Sequence, residues 1–511
     1  MLDVPEISLR VSVRGSWLKY YPDKSIAYSA PCSKFVHFTT YAWEKHHIRP
    51  YKQADYQTTP SSRHSSAAHS RSLGLSMGLS EPPRLHAFGY HLGIREEPKS
   101  TLQPSLTELL TWEQARALID IYTSVIHPVF GFLDTDSLYQ RSHSHWHVQI
   151  QRIQFEALLG GVIALASFFS DQLPRDVEMR VALHSKSILE DPMVGIFPCL
   201  DLVSASILRT IYVRGTTRPY VAGLSSLITI NMIEAMGLHQ DLNSISFVGD
   251  QRPADKVVGG VGIRERVAMV AQSLHILFAY DFGRSIINLV SLPSRGIPQS
   301  AGDFTFQQTA LINIISKSLN EKESAADPRE RLVIALEELA AMPTDHDFTA
   351  LTKAELCFAI YRRLRLLDPP LQESQVENII QAGTTAIPAA RRLAAQKHPW
   401  WNTIHTIFQY VCVLLSINSR PCITEVAPAI ETLRILNQQF SSRITQEALN
   451  MALSLVRACT ENKRQELSLL EGVMGISGQE VAPDEATANV ELEDFLQPLN
   501  DDLFEGLSDW L

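Results

Sequence analysis

The chain has 511 residues, of which 45% are hydrophobic, and its formal net charge at pH 7 is −10. This composition is ordinary for a globular protein with a sizeable core, built as one large domain or as a few smaller ones. It excludes a uniformly basic surface of the kind that binds nucleic-acid phosphates. The first residues lack the apolar run of a signal peptide, and no apolar run reaches membrane-spanning length. We therefore expect a soluble intracellular protein without membrane contact.

Cysteine usage sets a second limit. The six cysteines are scattered, and Cys32 is the only one before Cys199. Several lie in apolar helical runs, which favours reduced core residues over a disulfide framework or a metal cluster.

Residues 1–83 mix Tyr, His, Ser and Pro without a sustained helical period, and residues 61–80 are rich in Ser and chain breakers. Such a segment buries too little apolar surface to order itself, so we expect a poorly ordered arm. Its basic residues are dispersed, which favours a solvated leader over a nucleic-acid-binding arm.

Helical periodicity begins near Leu106. Thr111 and Gln114 have the spacing of a capping box, and an apolar helical face continues from there to Pro128. The preceding LTELL (residues 106–110) has the spacing of some coactivator-binding helices, but the pattern is common, and we favour a packing role.

The stretch from Phe155 to His239 predicts four consecutive helices. The first is apolar nearly all round, so we expect it to be buried on every side. The predicted limits are Asp191–Pro192 for the end of the second helix, Asp201 and Gly215 for the cap and end of the third, and Gly237 for the end of the fourth.

Later residues continue the helical pattern after a predicted surface loop over 241–262. Alternation of period two is essentially missing, so we predict an all-α fold. Further helices are predicted at 264–280 and at about 305–320, 328–341, 351–367, 374–398, 402–417, 425–440 and 444–474.

Patterns typical of enzymes do not assemble. GGVG (259–262) lacks a phosphate-loop lysine, and GLSSL (223–227) lacks the second glycine of a nucleophile elbow. HSHWH (143–147) offers imidazoles without a matching Cys or carboxylate set, so we interpret it as a solvated loop or helix end rather than a zinc site. The sequence favours a protein that is not an enzyme and holds no cofactor.

Several arginines lie in or beside the central helices. The candidate effector or structural arginines are Arg209, Arg214, Arg218, Arg264 and Arg284. One interpretation is that they tie helix ends and buried carboxylates such as Glu234 by forked hydrogen bonds. The alternative is an effector pocket that holds an anionic metabolite.

The C-terminal residues are acidic, and no Lys or Arg follows Arg464. We predict a linker at 475–489 and an acidic activation tail at 490–511, because acids interleaved with Leu and aromatic residues favour a helix that forms in a coactivator groove. The alternative is a terminal helix packed on its own domain. The predicted contact residues of the tail are Phe495, Leu499, Leu503, Phe504, Leu507 and Trp510.

Several strings together carry a family resemblance. They are HPVFGFLD (127–134), GGVIALASFFS (160–170), LRTIYVRGTTRP (208–219), EAMGLH (234–239), DFGRS (281–285), PWW (399–401) and TIFQYVCVLL (406–415). Their order and spacing over roughly 84–415 resemble the middle homology region of fungal zinc-binuclear-cluster transcription factors. The resemblance implies a large all-helical regulatory domain at 84–474, with its core at 105–300, in a nuclear regulator of RNA polymerase II genes. A metabolic or secondary-metabolite pathway is the family-level expectation.

The same resemblance implies a zinc-binding DNA module with six closely spaced cysteines, and this sequence does not contain one. Either the protein acts through a DNA-bound zinc-cluster partner, or the recorded start omits an upstream exon. The expected partners are coactivators and such a partner or a homodimer. Two rival functions remain: a corepressor or decoy without DNA contact, and an all-helical metabolite-binding module or enzyme.

Overall fold

The computed structural model describes residues 105–148, 150–191, 194, 199–239, 257–258, 261–289, 297, 300–319, 327–367 and 371–473. The predicted arm, the linker at 475–489, the tail at 490–511 and most of the predicted 241–262 loop lie outside these residues. Contacts divide the chain into two compact units, Met1–Asn450 and Met451–Leu511.

The described residues are predominantly helical, which confirms the predicted all-α class. The helices are α1 (Leu106–Leu109), α2 (Trp112–Ile121), α3 (Thr135–His147), α4 (Ile153–Phe168), α5 (Arg175–Leu189), α6 (Leu200–Thr216), α7 (Pro219–Met236), α8 (Ile263–Asp281), α9 (Thr305–Leu319), α10 (Pro328–Ala341), α11 (Asp347–Leu364), α12 (Glu373–Ala395), α13 (Asn402–Ile417), α14 (Arg420–Phe440) and α15 (Arg443–Val473). One π-helical turn, Tyr122–Ile126, continues α2.

A two-residue hairpin precedes α8. Strands β1 (Val257–Val258) and β2 (Val261–Gly262) pair antiparallel, with Val257 opposite Gly262. The predicted loop over 241–262 is therefore not irregular throughout, because Val261 and Gly262 form β2. Backbone pairing this short depends on its neighbours and carries no signal of period two.

Helix α4 lies at the centre of the first unit. Its residues from Phe155 to Ser167 are all buried, which confirms the prediction from its apolar surface. Small residues permit this close packing: a Cβ on Gly161 would lie 3.0 Å from the Cβ of Leu208, and one on Gly160 would lie 3.2 Å from the Cβ of Ser185. The GGVIALASFFS string thus contains glycines at which α4 packs closely against α5 and α6.

An aromatic cluster joins the early helices to the later ones. The ring of Trp400 lies 4.3 Å from Phe348 and 4.5 Å from Phe169 between centroids, and Phe130 stacks on Trp401 at 6.2 Å. Such offset and edge contacts add to the apolar burial of each ring. The PWW string is therefore a packing motif within the first unit.

Several predicted caps are confirmed. Thr111 and Gln114 form the reciprocal capping box of α2. Gly237 ends α7 in the left-handed region, with φ of 62°.

Other predicted limits were wrong. Cys199, not Asp201, caps α6, and both carboxylate oxygens of Asp201 instead accept from Arg141 at 2.9 and 2.6 Å. Gly215 does not end α6 but lies in its last turn, where a Cβ would meet the Phe168 ring at 2.7 Å. Position 215 therefore holds a glycine because a side chain would clash with Phe168, and not because the backbone turns there.

Two helices begin earlier than predicted. Helix α11 starts at Asp347, because the His346 ring accepts a hydrogen bond from the Phe348 amide at 3.1 Å and caps it. Helix α14 starts at Arg420 and continues through Pro428. A proline inside a helix usually signals a boundary, which is why the sequence predicts a later start.

Candidate regulatory site at the end of helix α8

The DFGRS string forms the end of α8. Gly283 adopts φ of 62°, and the amide of Arg284 donates to the Ala279 carbonyl at 2.8 Å. This is the left-handed reversal that commonly closes a helix, and glycine adopts it without steric cost. The Asp281 side chain, immediately before the reversal, is 10% exposed, whereas Arg284 after it is exposed.

Arg214 of α6 faces this helix end. Its Nη2 lies 3.7 Å from Asp281 Oδ2, and its side chain is 14% exposed. The guanidinium carbon lies 5.1 Å from the ring centroid of Phe282 and 5.5 Å from that of Trp401. The cation is therefore held by one carboxylate and by aromatic faces, which attract it through their quadrupoles.

A second buried carboxylate, Glu355 of α11, belongs to the same cluster. Its side chain is 3% exposed, and neither of its oxygens has a hydrogen-bond partner within the described part of the chain. The imidazole of His405 on α13 lies close by, with its Nε2 3.9 Å from Glu355 Oε1, but burial lowers the pKa of His405 to about 4, so the ring is neutral near pH 7. We call Arg214, Asp281, Glu355 and His405 the charge cluster; it joins α6, α8, α11 and α13.

Burial governs protonation in the charge cluster. It raises the pKa of Asp281 to about 6, even though Arg214 acts in the opposite direction. Burial, reinforced by the charge of Asp281, also raises the pKa of Glu355 well above its ordinary value. Two carboxylates in one poorly solvated place do not both ionise readily, so the cluster gains and loses protons as a unit.

A cavity of about 380 Å³ lies at the same end of α8. The guanidinium carbon of Arg363 lies 4.6 Å from the Tyr280 ring centroid. The Tyr280 hydroxyl is buried and has no hydrogen-bond partner among the described residues. We call this space the α8 cavity. Its lining residues are Ala279, Tyr280, Gly283, Arg284, Ile286, Asn288, Ser316 and Arg363.

The five predicted arginines do not converge on one site. Arg214 and Arg284 lie at the same end of α8, whereas Arg209 faces Glu190, with Nη2 3.9 Å from Oε1. Arg218 is exposed at the start of α7, and Arg264 is half-buried in the first turn of α8. The carboxylates opposite Arg209 and Arg214 are thus Glu190 and Asp281 rather than Glu234.

The most buried arginine among the described residues, Arg266, is not one of these five. Arg266 is 1% exposed and donates to the Gly131 carbonyl and to the Asp303 carboxylate. Gly131 also donates its amide to Thr305 Oγ1 at 2.8 Å. A Cβ on Gly131 would lie 3.1 Å from Arg266 Nη2, so the glycine makes room for the guanidinium. The glycine in HPVFGFLD is therefore the feature of the sequence that could have pointed to this buried arginine.

The HSHWH string contributes to a second buried polar group. As predicted, it lies at a helix end, that of α3, with His143 and His147 exposed, but His145 is buried rather than solvated. Glu156 of α4 accepts from Ser105 Oγ at 2.5 Å and from the Leu106 amide at 2.7 Å. The Nε2 atoms of His145 and His184 lie 3.7 and 3.6 Å from its Oε1.

Burial alone would raise the pKa of Glu156, but the two imidazoles and the Ser105 and Leu106 donors together hold it below its usual range. The ionised carboxylate therefore ties the start of α1 to α4. Within the described residues, no group of three or more His, Cys, Asp or Glu side chains is arranged to hold a metal ion. No helix described by the structure is both long and apolar enough to cross a membrane.

The six predicted tail contacts, from Phe495 to Trp510, lie outside the described residues, so they remain predictions.

Comparison with known proteins places this helical chain among transcription regulators. Protein RDR1 of Saccharomyces cerevisiae is 36% identical over 411 residues, which cover 80% of this chain and 74% of that protein. Transcription factor kojR of Aspergillus oryzae is 32% identical over 404 residues, 79% of this chain and 71% of its own. A probable transcriptional repressor of Schizosaccharomyces pombe is 23% identical over 130 residues, 25% of this chain and 30% of its own. No family model and no solved structure matches the chain.

The chain is built of packed helices, and about four-fifths of it aligns with RDR1 and with kojR. It is therefore a transcription regulator. The chain belongs to the family of fungal transcription factors that includes RDR1 and kojR. The relative kojR is named as a transcription factor, which supports the expectation that the chain is not an enzyme.

Proposed function

We propose that the protein acts in the nucleus and controls RNA polymerase II genes of a metabolic or secondary-metabolite pathway. The observation that carries this proposal is the alignment with RDR1 over 80% of the chain, supported by the one with kojR over 79%. In this proposal residues 84–474 are the regulatory domain of the middle homology type, and the tail at 490–511 is its output after the linker at 475–489.

The tail performs activation through contact with coactivators. Its acids keep Leu and aromatic side chains solvated until an apolar groove takes them up, and pairing with the groove then offsets the ordering entropy. Regulation follows if the helical domain has two arrangements that differ in whether the tail is accessible. The charge cluster supplies a suitable element, because its protonation and pairing depend on how α6, α8, α11 and α13 sit together.

Fusion of residues 480–511 to an unrelated DNA-binding domain tests the output. We expect reporter expression that falls by at least half in Phe504→Ala with Trp510→Ala. A matched control is Asn500→Ala, which shortens a neighbouring side chain without removing an apolar contact. A fusion that is inactive, or that stays fully active without both aromatic residues, removes the tail from the mechanism.

We propose that the protein is brought to DNA by a DNA-bound zinc-cluster partner, or that it acts as a homodimer. The residues of this sequence contain no group of six closely spaced cysteines, so they do not themselves supply the ligands of a binuclear zinc cluster. Chromatin occupancy measured with and without candidate zinc-cluster proteins tests this point. Occupancy that persists in the absence of every such partner contradicts it.

Repression is the second candidate function. The observation that favours it is the partial alignment with the Schizosaccharomyces pombe protein named as a probable transcriptional repressor. Deletion of the whole gene distinguishes the two functions, because target transcripts fall if the protein activates and rise if it represses. The alignment covers only 25% of the chain, so activation remains the main proposal.

A further inference from the structure

The α8 cavity brings together two cationic side chains, Arg284 and Arg363. Arg284 follows the helix reversal, and Arg363 lies near the end of α11. Among the residues that the structure describes, neither guanidinium forms an ion pair with a carboxylate. Exposed arginines elsewhere do so, such as Arg392 with Asp347 at 2.6 Å.

The nearest acid in the sequence, Asp281, does not compensate this charge. It is directed to Arg214 of the charge cluster, 3.7 Å away. The cavity is therefore locally positive although the whole chain carries a net charge of −10.

The rest of the lining is suited to a polar ligand. Asn288 and Ser316 supply an amide and a hydroxyl, and the buried Tyr280 hydroxyl has no hydrogen-bond partner among the described residues. A buried hydroxyl without a partner costs free energy that a bound acceptor would restore. The volume of about 380 Å³ lies at the small end of the range for ligand pockets.

We propose that the α8 cavity binds a small organic anion with at least two negatively charged groups, either carboxylates or phosphates. The planar guanidinium forks of Arg284 and Arg363 each hold one such group, because their donors match the spacing of carboxylate and phosphate oxygens. Tyr280, Asn288 and Ser316 orient the ligand by hydrogen bonds. A bound anion links the end of α8 to α9 and α11, which the cavity already borders.

This site is independent of the proposed function, because binding is measured without transcription. Its regulatory meaning does rest on that function: an anion that draws α11 toward the end of α8 would also change the surroundings of Asp281 and Glu355. A chain that binds the anion but does not alter transcription would keep the site and remove the regulation.

Isothermal titration of the full chain with citrate and with fructose 1,6-bisphosphate, which carry several carboxylates and two phosphates respectively, tests the site. We expect one site per chain for at least one probe, and the stronger probe identifies the carboxylate or phosphate class. Arg284→Gln and Arg363→Gln should each weaken binding about tenfold or more, as expected when a charge-assisted hydrogen-bond pair is lost. The matched control is Arg434→Gln, which removes the same charge from exposed α14.

A second variant guards against a general loss of charge. Asn288→Trp fills the cavity and leaves both arginines in place, so it should abolish binding while circular dichroism shows unchanged helicity. The proposal is overturned if neither probe binds, or if the Arg284, Arg363 and Asn288 variants bind as tightly as Arg434→Gln. If added salt alone weakens anion binding equally in the Arg284, Arg363, Asn288 and Arg434 variants, the proposal is likewise overturned, since such binding is unspecific charge attraction.

Discussion

Replacement of Asp281 by Asn should stabilise the protein at neutral pH. The 3.7 Å separation from Arg214 suggests the opposite, because loss of an ion pair is usually destabilising. The cost of desolvation decides between a stabilising and a destabilising effect. The Asp281 side chain is 10% exposed, and its pKa rises to about 6 although Arg214 is adjacent. The attraction is thus already outweighed by the cost of burying the charge.

The magnitude follows from the change in pKa. The ordinary pKa of 3.8 rises to about 6, and a difference of about two corresponds to roughly 3 kcal/mol, at about 1.36 kcal/mol per pH unit. Because the folded state holds the proton more tightly, the stabilising contribution is complete below pH 3.8 and is lost as the pH rises through about 6. Asn resembles the protonated acid and avoids this loss.

Urea unfolding of wild type and Asp281→Asn between pH 4 and pH 8 measures the effect. The free energy of unfolding should be nearly equal for the two at pH 4, and the variant should be more stable by about 1–3 kcal/mol at pH 7. Asp120→Asn, which changes an exposed Asp on α2, is the control and should follow wild type. A variant that is less stable than wild type at pH 7 would refute the reasoning, because the ion pair would then outweigh desolvation.

Four other substitutions test the packing and the buried charges by the same measurement. Gly383→Ala should cost about 1–3 kcal/mol, because its Cβ overlaps the Tyr410 ring, whereas Gly223→Ala, with open space around its Cβ, should gain up to about 1 kcal/mol. Glu156→Gln should cost about 1.5–3 kcal/mol at neutral pH; because its pKa is depressed, this difference persists at pH 4.5 and disappears only at lower pH. Arg266→Met should cost about 3–5 kcal/mol by leaving a carboxylate unpaired.

Each of these stability predictions has an outcome that would contradict it. Equal stability of the Gly383 and Gly223 variants would mean that the Tyr410 ring moves aside freely. A Glu156→Gln difference that grows toward pH 4 would show that the carboxyl is protonated in the folded state. An Arg266→Met protein as stable as wild type would mean that apolar packing alone holds the loop before α3.

Local signals in the sequence predicted the helices well, because each helix is encoded by its own residues. The capping box at Thr111 and the terminal Gly237 satisfy backbone groups only a few residues away. The all-round apolar surface of α4 likewise predicts burial without knowledge of its neighbours. Such features depend on the chain within about one turn, so they are readable in order along it.

Errors arose where a residue serves a distant partner. Asp201 has the identity of a helix cap, but Arg141, sixty residues earlier, takes its carboxylate. Gly215 has the identity of a helix stop, but it gives room to Phe168. Competition between a local and a tertiary role cannot be judged from a pattern, since both roles use the same residue type.

The candidate site illustrates the same limit more strongly. Asp281 and Glu355 lie 74 positions apart and belong to helices that look ordinary in sequence. Only the fold shows that both are buried beside Arg214. Arg284 was predicted as a candidate, whereas Arg363, its neighbour across the cavity, was not, because a basic residue near the end of a helix is expected in any case.

The strings that carry the family resemblance divide physically into two kinds. GGVIALASFFS and PWW mark apolar contacts, which need only shape, whereas HPVFGFLD and DFGRS mark places where charges are buried. Buried ion pairs are seldom the most stabilising choice, since apolar residues of similar volume often serve stability as well or better. At the end of α8 the raised pKa of Asp281 indicates that the fold loses stability there near neutral pH. A helix end that carries this cost is displaced with a smaller loss of free energy than an apolar contact of similar size, so a ligand or partner that pairs with these charges can shift the end of α8.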